Sequence, residues 1–310
     1  MQKAWYDEET KRQLRARFNS HDRLIGKGEY RFPVTAEREY IRLTNWYMKQ
    51  VRAVLEEELP KLSEQYKQEY ADYKAVHQDG LFDFPEFAGR FFDGIKEKIQ
   101  KSKITETLTE KLHKIAGITK NVEVREFKNM IKRTLGMEVA EDYYTQEFFA
   151  DTVQSWVSAN VDLITTVPND MLGKMKELVL EAYTNGTTPT DLADQIQAAY
   201  GMSKGHANMI ASDQMSKLSA QMLRKEHEDA GITKYKWQTM EDDRVRDGHR
   251  VLNGNIYSYD NPPDVGDGRH LNPGEDYNCR CQAIPVVEEA TLNIPLASAA
   301  ESMSKLAAGG

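Results

Sequence analysis

Residues 237–250 read WQTMEDDRVRDGHR, and residues 278–281 read NCRC. The second stretch holds Cys279 and Cys281, the two cysteines of a 310-residue chain. A disulfide needs Cα atoms about 4.4–6.8 Å apart with converging Cβ vectors, which neighbours separated by one residue rarely offer. As metal ligands the two thiols suit each other, and His249 stands about thirty residues upstream as a third donor of the type zinc takes. The fourth donor is open among Asp243, Asp276, Asp242 and His270. The competing reading is two buried thiols and two surface histidines without a metal.

Working outward, Ile232 to Thr239 alternates apolar and polar residues as a strand does. From Gly248 to Pro285 come five glycines and four of the ten prolines, the composition of loops. A module of about 55 residues so built has little apolar surface to bury, and a metal would substitute for core. Upstream the texture is helical. Ile41, Met48, Val51, Leu55 and Leu59 share one helix face between Thr35 and Val76, with Pro60 as a break. Phe82, Phe84, Phe87, Phe91 and Phe92 around Pro85 read as a packed turn between helices. Ile95, Ile99, Leu108, Leu112 and Ile115 mark an amphipathic stretch stopped near Gly117. Further helices are expected over 122–135, 141–163 and 169–184. Thr188-Pro189-Thr190-Asp191 has the form of a capping box for a helix ending at Gly201. Ser203 opens the next helix, which runs to Gly231 with Ile210, Leu218 and Met222 inward.

The fold class that results is mainly α. A long helical N-terminal part carries a small loop-rich α+β module at the C-terminal end. The expected divisions are 1–120, 121–231, 232–287 and a flexible tail at 288–310. Residues 1–35 read as irregular and basic, with Lys11, Arg12, Arg15 and Arg17 as candidates for touching DNA phosphates or an acidic partner; a solvated surface segment is the plainer reading. A net charge of −8 argues against a surface that grips nucleic acid throughout. No apolar run approaches the roughly 20 residues of a membrane span. The first residues lack the apolar core of a secretory signal, and the cysteine usage fits a reducing compartment.

Residues 234–287 resemble the C-terminal domain of the Mu F-like minor head proteins, the head morphogenesis proteins of tailed phages. The resemblance runs through Tyr235, Trp237, Thr239, Asp243-Arg244-Val245-Arg246-Asp247-Gly248-His249, Leu252-Asn253-Gly254, Pro273-Gly274 and Asn278-Cys279-Arg280-Cys281. It is looser over 156–230 and absent before about residue 120. It implies a structural zinc held by His249, Cys279 and Cys281, with Asp276, or alternatively Asp243, as fourth ligand. It also implies structural roles for Trp237, Thr239, Asp243, Arg244, Arg246, Gly254 and Arg280, with Asp243 and Arg244 paired inside the motif. Many members carry cysteine at the positions of Arg246 and His249 and histidine at that of Asp276; this chain keeps His249, Cys279 and Cys281 as donors and has Arg246 and Asp276 at two expected ligand positions.

What the resemblance implies for function is a minor capsid protein of a virion, not an enzyme. It would dock inside the head near the portal vertex, against portal, scaffolding or major capsid protein, after assembly in the host cytoplasm. It would assist head assembly and DNA delivery. The alternative is a DNA-associated or nuclease-like metal-dependent protein packaged with the genome. The residues speak against chemistry. A zinc deaminase needs H-x-E with P-C-x-x-C, and a zinc protease needs H-E-x-x-H; neither is present. A helix-turn-helix over 190–230 is disfavoured, because the second helix is too long and carries few basic residues.

Overall fold

A computed structural model describes residues 6–77, 82–141, 143–145, 147–185, 210 and 213–298. The chain falls into two compact units, each assembled from separated segments. The first comprises Met1–Glu37, Ile115–Ser155 and Ser212–Gly310; the second comprises Arg38–Lys114 and Trp156–Ala211. The fold is mainly α with a small antiparallel sheet, as the periodicities require.

The second unit is helical. Its elements are α2 (Val34–Glu58, from residue 38), α3 (Lys61–Val76), α4 (Phe84–Lys101), the first part of α5 (Lys103–Leu135) and most of α6 (Ala150–Asn185). Pro60 separates α2 from α3 as expected. The phenylalanine cluster is a different matter: it opens a helix and is not a turn. Asp83 caps α4 by accepting from the Glu86 N–H at 2.9 Å, and Pro85 sits in the first turn, where its missing N–H costs nothing. Phe84, Phe87 and Phe91 then fall on one buried face. Tyr66 of α3 packs edge-on to Phe84 at 5.3 Å between ring centroids, and Tyr183 of α6 stacks on Phe84 at 3.9 Å. The buried Tyr40 hydroxyl donates to Asn160 Oδ1 at 2.5 Å, which satisfies the polar tip inside an apolar core.

Two expected helix breaks do not occur. α5 runs through Gly117 to Leu135, because Ala116 and Thr119 on either side are fully buried and Thr119 Oγ1 donates back to the Ile115 carbonyl. α6 runs through Pro168, whose ring is buried beside Val167, Met171 and Leu172. The apolar stripe outweighs the roughly 3 kcal/mol that an interior proline costs.

The first unit contains α1 (Glu8–Phe18), β1 (Arg23–Ile25), β2 (Met137–Val139), a helix α7 across 213–229, β3 (Lys234–Gln238), the one-turn α8 (Asp247–Arg250), β4 (Ile256–Ser258), β5 (Gln282–Glu288) and β6 (Leu296–Ser298). The expectation of an irregular N-terminus is corrected. Asp7 caps α1 by accepting from the Thr10 N–H, and the chain continues into a strand. The four-stranded sheet has the order β1-β5-β3-β4, antiparallel throughout. Its edge strand β1 comes from residues far outside the C-terminal module, pairing Leu24 with Val287. Gln282 fastens this segment by exchanging hydrogen bonds with the backbone of Tyr30. Residues 288–298 are likewise not a tail. Leu292 and Ile294 are buried, and β6 pairs with β2, Glu138 opposite Ala297. The helix expected from Thr190 to Gly201 lies outside the described residues.

Candidate metal centre

Trp237, fully buried at the end of β3, anchors the module. Gly254 donates its N–H to the Trp237 carbonyl, and Trp237 donates its own to Asn255, closing the loop that carries α8. Thr239, also buried, donates its N–H to Asn253 Oδ1. α8 then lifts His249 into the interior, where its ring meets Trp237 edge-on at 5.5 Å. Gly248 permits this approach: a Cβ there would come within 2.4 Å of the Val265 carbonyl oxygen. The second loop arrives over α7. Gly274, at φ +85°, leaves no room for a Cβ against Ala220, and Asp213 of α7 accepts the Asn278 N–H. The Cys279 N–H donates to the Asp276 carbonyl, which turns both thiols inward.

His249, Cys279 and Cys281 converge there. All three are buried, the cysteines are free thiols, and their donor atoms lie within 4.8 Å of one another. His249 Nδ1 is 3.5 Å from Cys279 Sγ and 3.6 Å from Cys281 Sγ. In a tetrahedral zinc site with Zn–S about 2.3 Å and Zn–N about 2.0–2.1 Å, nitrogen and sulfur stand about 3.5 Å apart. The donor set and its spacing fit such an ion. Cys279 ionises first: a hydrogen bond from Cys281 opposes burial and, with His249 assisting, lowers it to about 5. Cys281, facing that thiolate, is pushed up. His249 is raised, chiefly by its contact with Cys279.

Asp276, the expected fourth ligand, is not one of the three clustered donors. Its Oδ2 lies 3.2 Å from His249 Nε2, on the opposite side of the ring from the sulfurs. The same oxygen accepts from Arg246 Nη1 at 2.9 Å, while Oδ1 accepts from Arg269 Nη1 at 2.6 Å and from the Tyr277 N–H at 2.9 Å. Burial would raise this carboxyl, but Arg269, the Tyr277 N–H and the charge of Arg246 outweigh it and hold it below the ordinary range. Asp243 is exposed. The expected Asp243–Arg244 pair is replaced by Asp242, which accepts from Arg280 at 2.7 Å and lies 3.8 Å from Arg244. His270 is exposed and faces the Pro262 carbonyl.

The basic candidates do not form an open patch. Lys11 pairs with Glu8 and Arg12 with Glu9 one turn earlier on α1, and Arg17 donates to the Thr134 carbonyl; Arg15 is exposed. Sequence reading missed Arg269, which stands in a glycine-rich loop with no pattern to mark it. It also missed a buried polar group between α5 and α7. There Glu123 accepts from Ser219 at 2.5 Å, Glu226 is fully buried, and His227 lies between the hydroxyls of Tyr30 and Tyr259.

Residues 173–284 match the family model described as Phage Mu protein F like protein. The matched region holds His249, Asp276, Cys279 and Cys281, and it bears out the resemblance read from the motifs. An uncharacterized protein of Haemophilus influenzae (strain ATCC 51907 / DSM 11121 / KW20 / Rd) is 34% identical over 179 residues. That alignment covers 57% of this chain and 39% of the relative, so the chain spans well under half of the relative's length. No solved structure gives a significant match.

Proposed function

We propose that this chain is a minor structural protein of a tailed-phage head whose C-terminal module is clamped by a zinc ion on His249, Cys279 and Cys281. The observation that carries the reading is that the Mu F-like match encloses the whole cluster. When bound, zinc would cross-link the α8 loop to the Cys279–Cys281 loop, adding to the stability that the module's core of Tyr235, Trp237, Ile284 and Val286 supplies. His249, Cys279 and Cys281 would hold the ion, and in this reading its part is to tie two loops of a virion protein together. The docking partners are portal, scaffolding or major capsid protein inside the head. The genome-associated reading has less support, since Lys11 and Arg12 are already paired within α1.

Elemental analysis of the full chain should find one zinc, and Cys279→Ser should release it and lower the melting temperature by roughly 5–10 °C. A metal-free wild-type chain with unchanged melting in the variant would sink the clamp. Low-copy presence in purified virions, and co-purification with the portal protein, test the wider role; absence from virions would overturn it.

A further inference from the structure

We infer that Asp276 is a positioning residue for His249 and not a metal ligand. The centre therefore presents three protein donors among the described residues and leaves its fourth position to an exogenous ligand such as water. This rests on the metal-binding reading above.

An imidazole has two nitrogens pointing to opposite sides of its ring. In His249, Nδ1 faces both sulfurs and Nε2 faces Asp276. A carboxylate beside Nε2 accepts its N–H, which orients the ring and, in the neutral imidazole, favours the tautomer whose lone pair is on Nδ1, the atom turned toward Cys279 and Cys281. Asp276 is not among the donors that gather within 4.8 Å of one another; its Oδ2 lies 3.2 Å from the other ring nitrogen, Nε2. Nor is the carboxylate free to turn. An ionised carboxylate offers about four acceptor positions, and His249, Arg246, Arg269 and the Tyr277 N–H occupy them. Arg246 also donates to the Tyr277 carbonyl, tying the aspartate to the loop that carries the thiols. Two guanidinium groups keep the acid charged and stationary where it is only 2% exposed. The arrangement is that of an outer partner which orients a ligand, and three donors with an open position leave room for a small molecule.

The test uses the full chain and two readouts. In metal-free, ¹⁵N-histidine-labelled protein, at a pH high enough for His249 to carry a single proton, long-range ¹H–¹⁵N spectra should show it as the Nε2–H tautomer, its signals assigned by their loss in His249→Asn. Asp276→Leu should convert it to a tautomer mixture; an unchanged tautomer overturns the positioning role. Zinc affinity should fall about ten- to hundred-fold in Asp276→Leu. It should stay within about ten-fold in Asp276→Asn, whose amide oxygen still accepts from Nε2–H. A far larger loss in Asp276→Asn marks direct ligation and overturns the proposal, and this variant carries the test if Asp276→Leu does not fold. With cobalt(II) in place of zinc, added imidazole should shift the visible absorption; an unchanged spectrum means the fourth position is closed and overturns that part. A wild-type chain that takes up no metal defeats the clamp, while the tautomer measurement still decides the role of Asp276.

Discussion

The helical second unit and the C-terminal module of the first are stabilised by different physics. In the helical unit, packing rests on repeated apolar faces: Phe84, Phe87 and Phe91 on α4, Tyr66 on α3, and Met171, Met175 and Val179 on α6. Its charges lie outside, in pairs such as Arg90–Glu69 and Lys98–Glu57. The module has an apolar core of its own in Tyr235, Trp237, Ile284 and Val286, but it adds a buried polar cluster of two thiols, an imidazole and a carboxylate, placed by hydrogen bonds. Apolar packing is non-directional and tolerates change of shape, whereas a polar interior is stable only when every group is satisfied. The first kind of region can vary in sequence and keep its fold. The second cannot lose one member without exposing the rest.

Substitutions can sharpen that contrast. Phe87→Ala should have the largest effect in the helical unit, about 3–5 kcal/mol. Added chelator should not change that loss in denaturant melts; a chelator-dependent loss would mean the two regions are not held separately. Next comes pH, which acts on the first unit. Burial, with some help from Glu126 and against the Ser219 hydrogen bond, raises Glu123 to about 8. A carboxyl raised in the folded state binds its proton more tightly there than in the unfolded chain. Its contribution is thus complete below the ordinary value of about 4.5 and lost as pH rises through about 8. Wild type should weaken between pH 6 and pH 9, and Glu123→Gln should weaken less; parallel losses would remove Glu123 from the account. Glu226, raised by burial and by the Glu123 charge, keeps part of the slope. The smallest effect belongs to the exposed ion pairs. Arg90→Ala should cost less than about 1 kcal/mol and vanish in high salt, and a larger, salt-insensitive cost would give those pairs a structural role.

Much of this was legible in the sequence where one residue type had few places to go. Two cysteines in the whole chain mark the site by scarcity, and the helical faces on α2 and α4 follow from apolar spacing. What could not be read depends on tertiary packing. Gly117 and Pro168 look like breaks locally, yet burial of their neighbours carries both helices through. The side of the His249 ring that Asp276 occupies is set by the path of the loop between Pro263 and Asn278, which no spacing rule encodes. Nor does any local pattern announce that Arg23–Ile25 will pair with a strand more than 250 residues later, because strand pairing carries no sequence code beyond alternation.

That borrowed strand has a consequence for how the chain can be cut. β5 lies between β1 and β3, and Val286 and Val287 are buried there. A protease that cleaved between Ile25 and Val34 and released the leading segment would uncover a row of unpaired N–H and C=O groups on an apolar strand. Such an edge accepts a new strand from whichever chain reaches it first. For the same reason a recombinant fragment beginning at residue 232 would be adhesive, and one that retains residues 6–34 would have its edge covered.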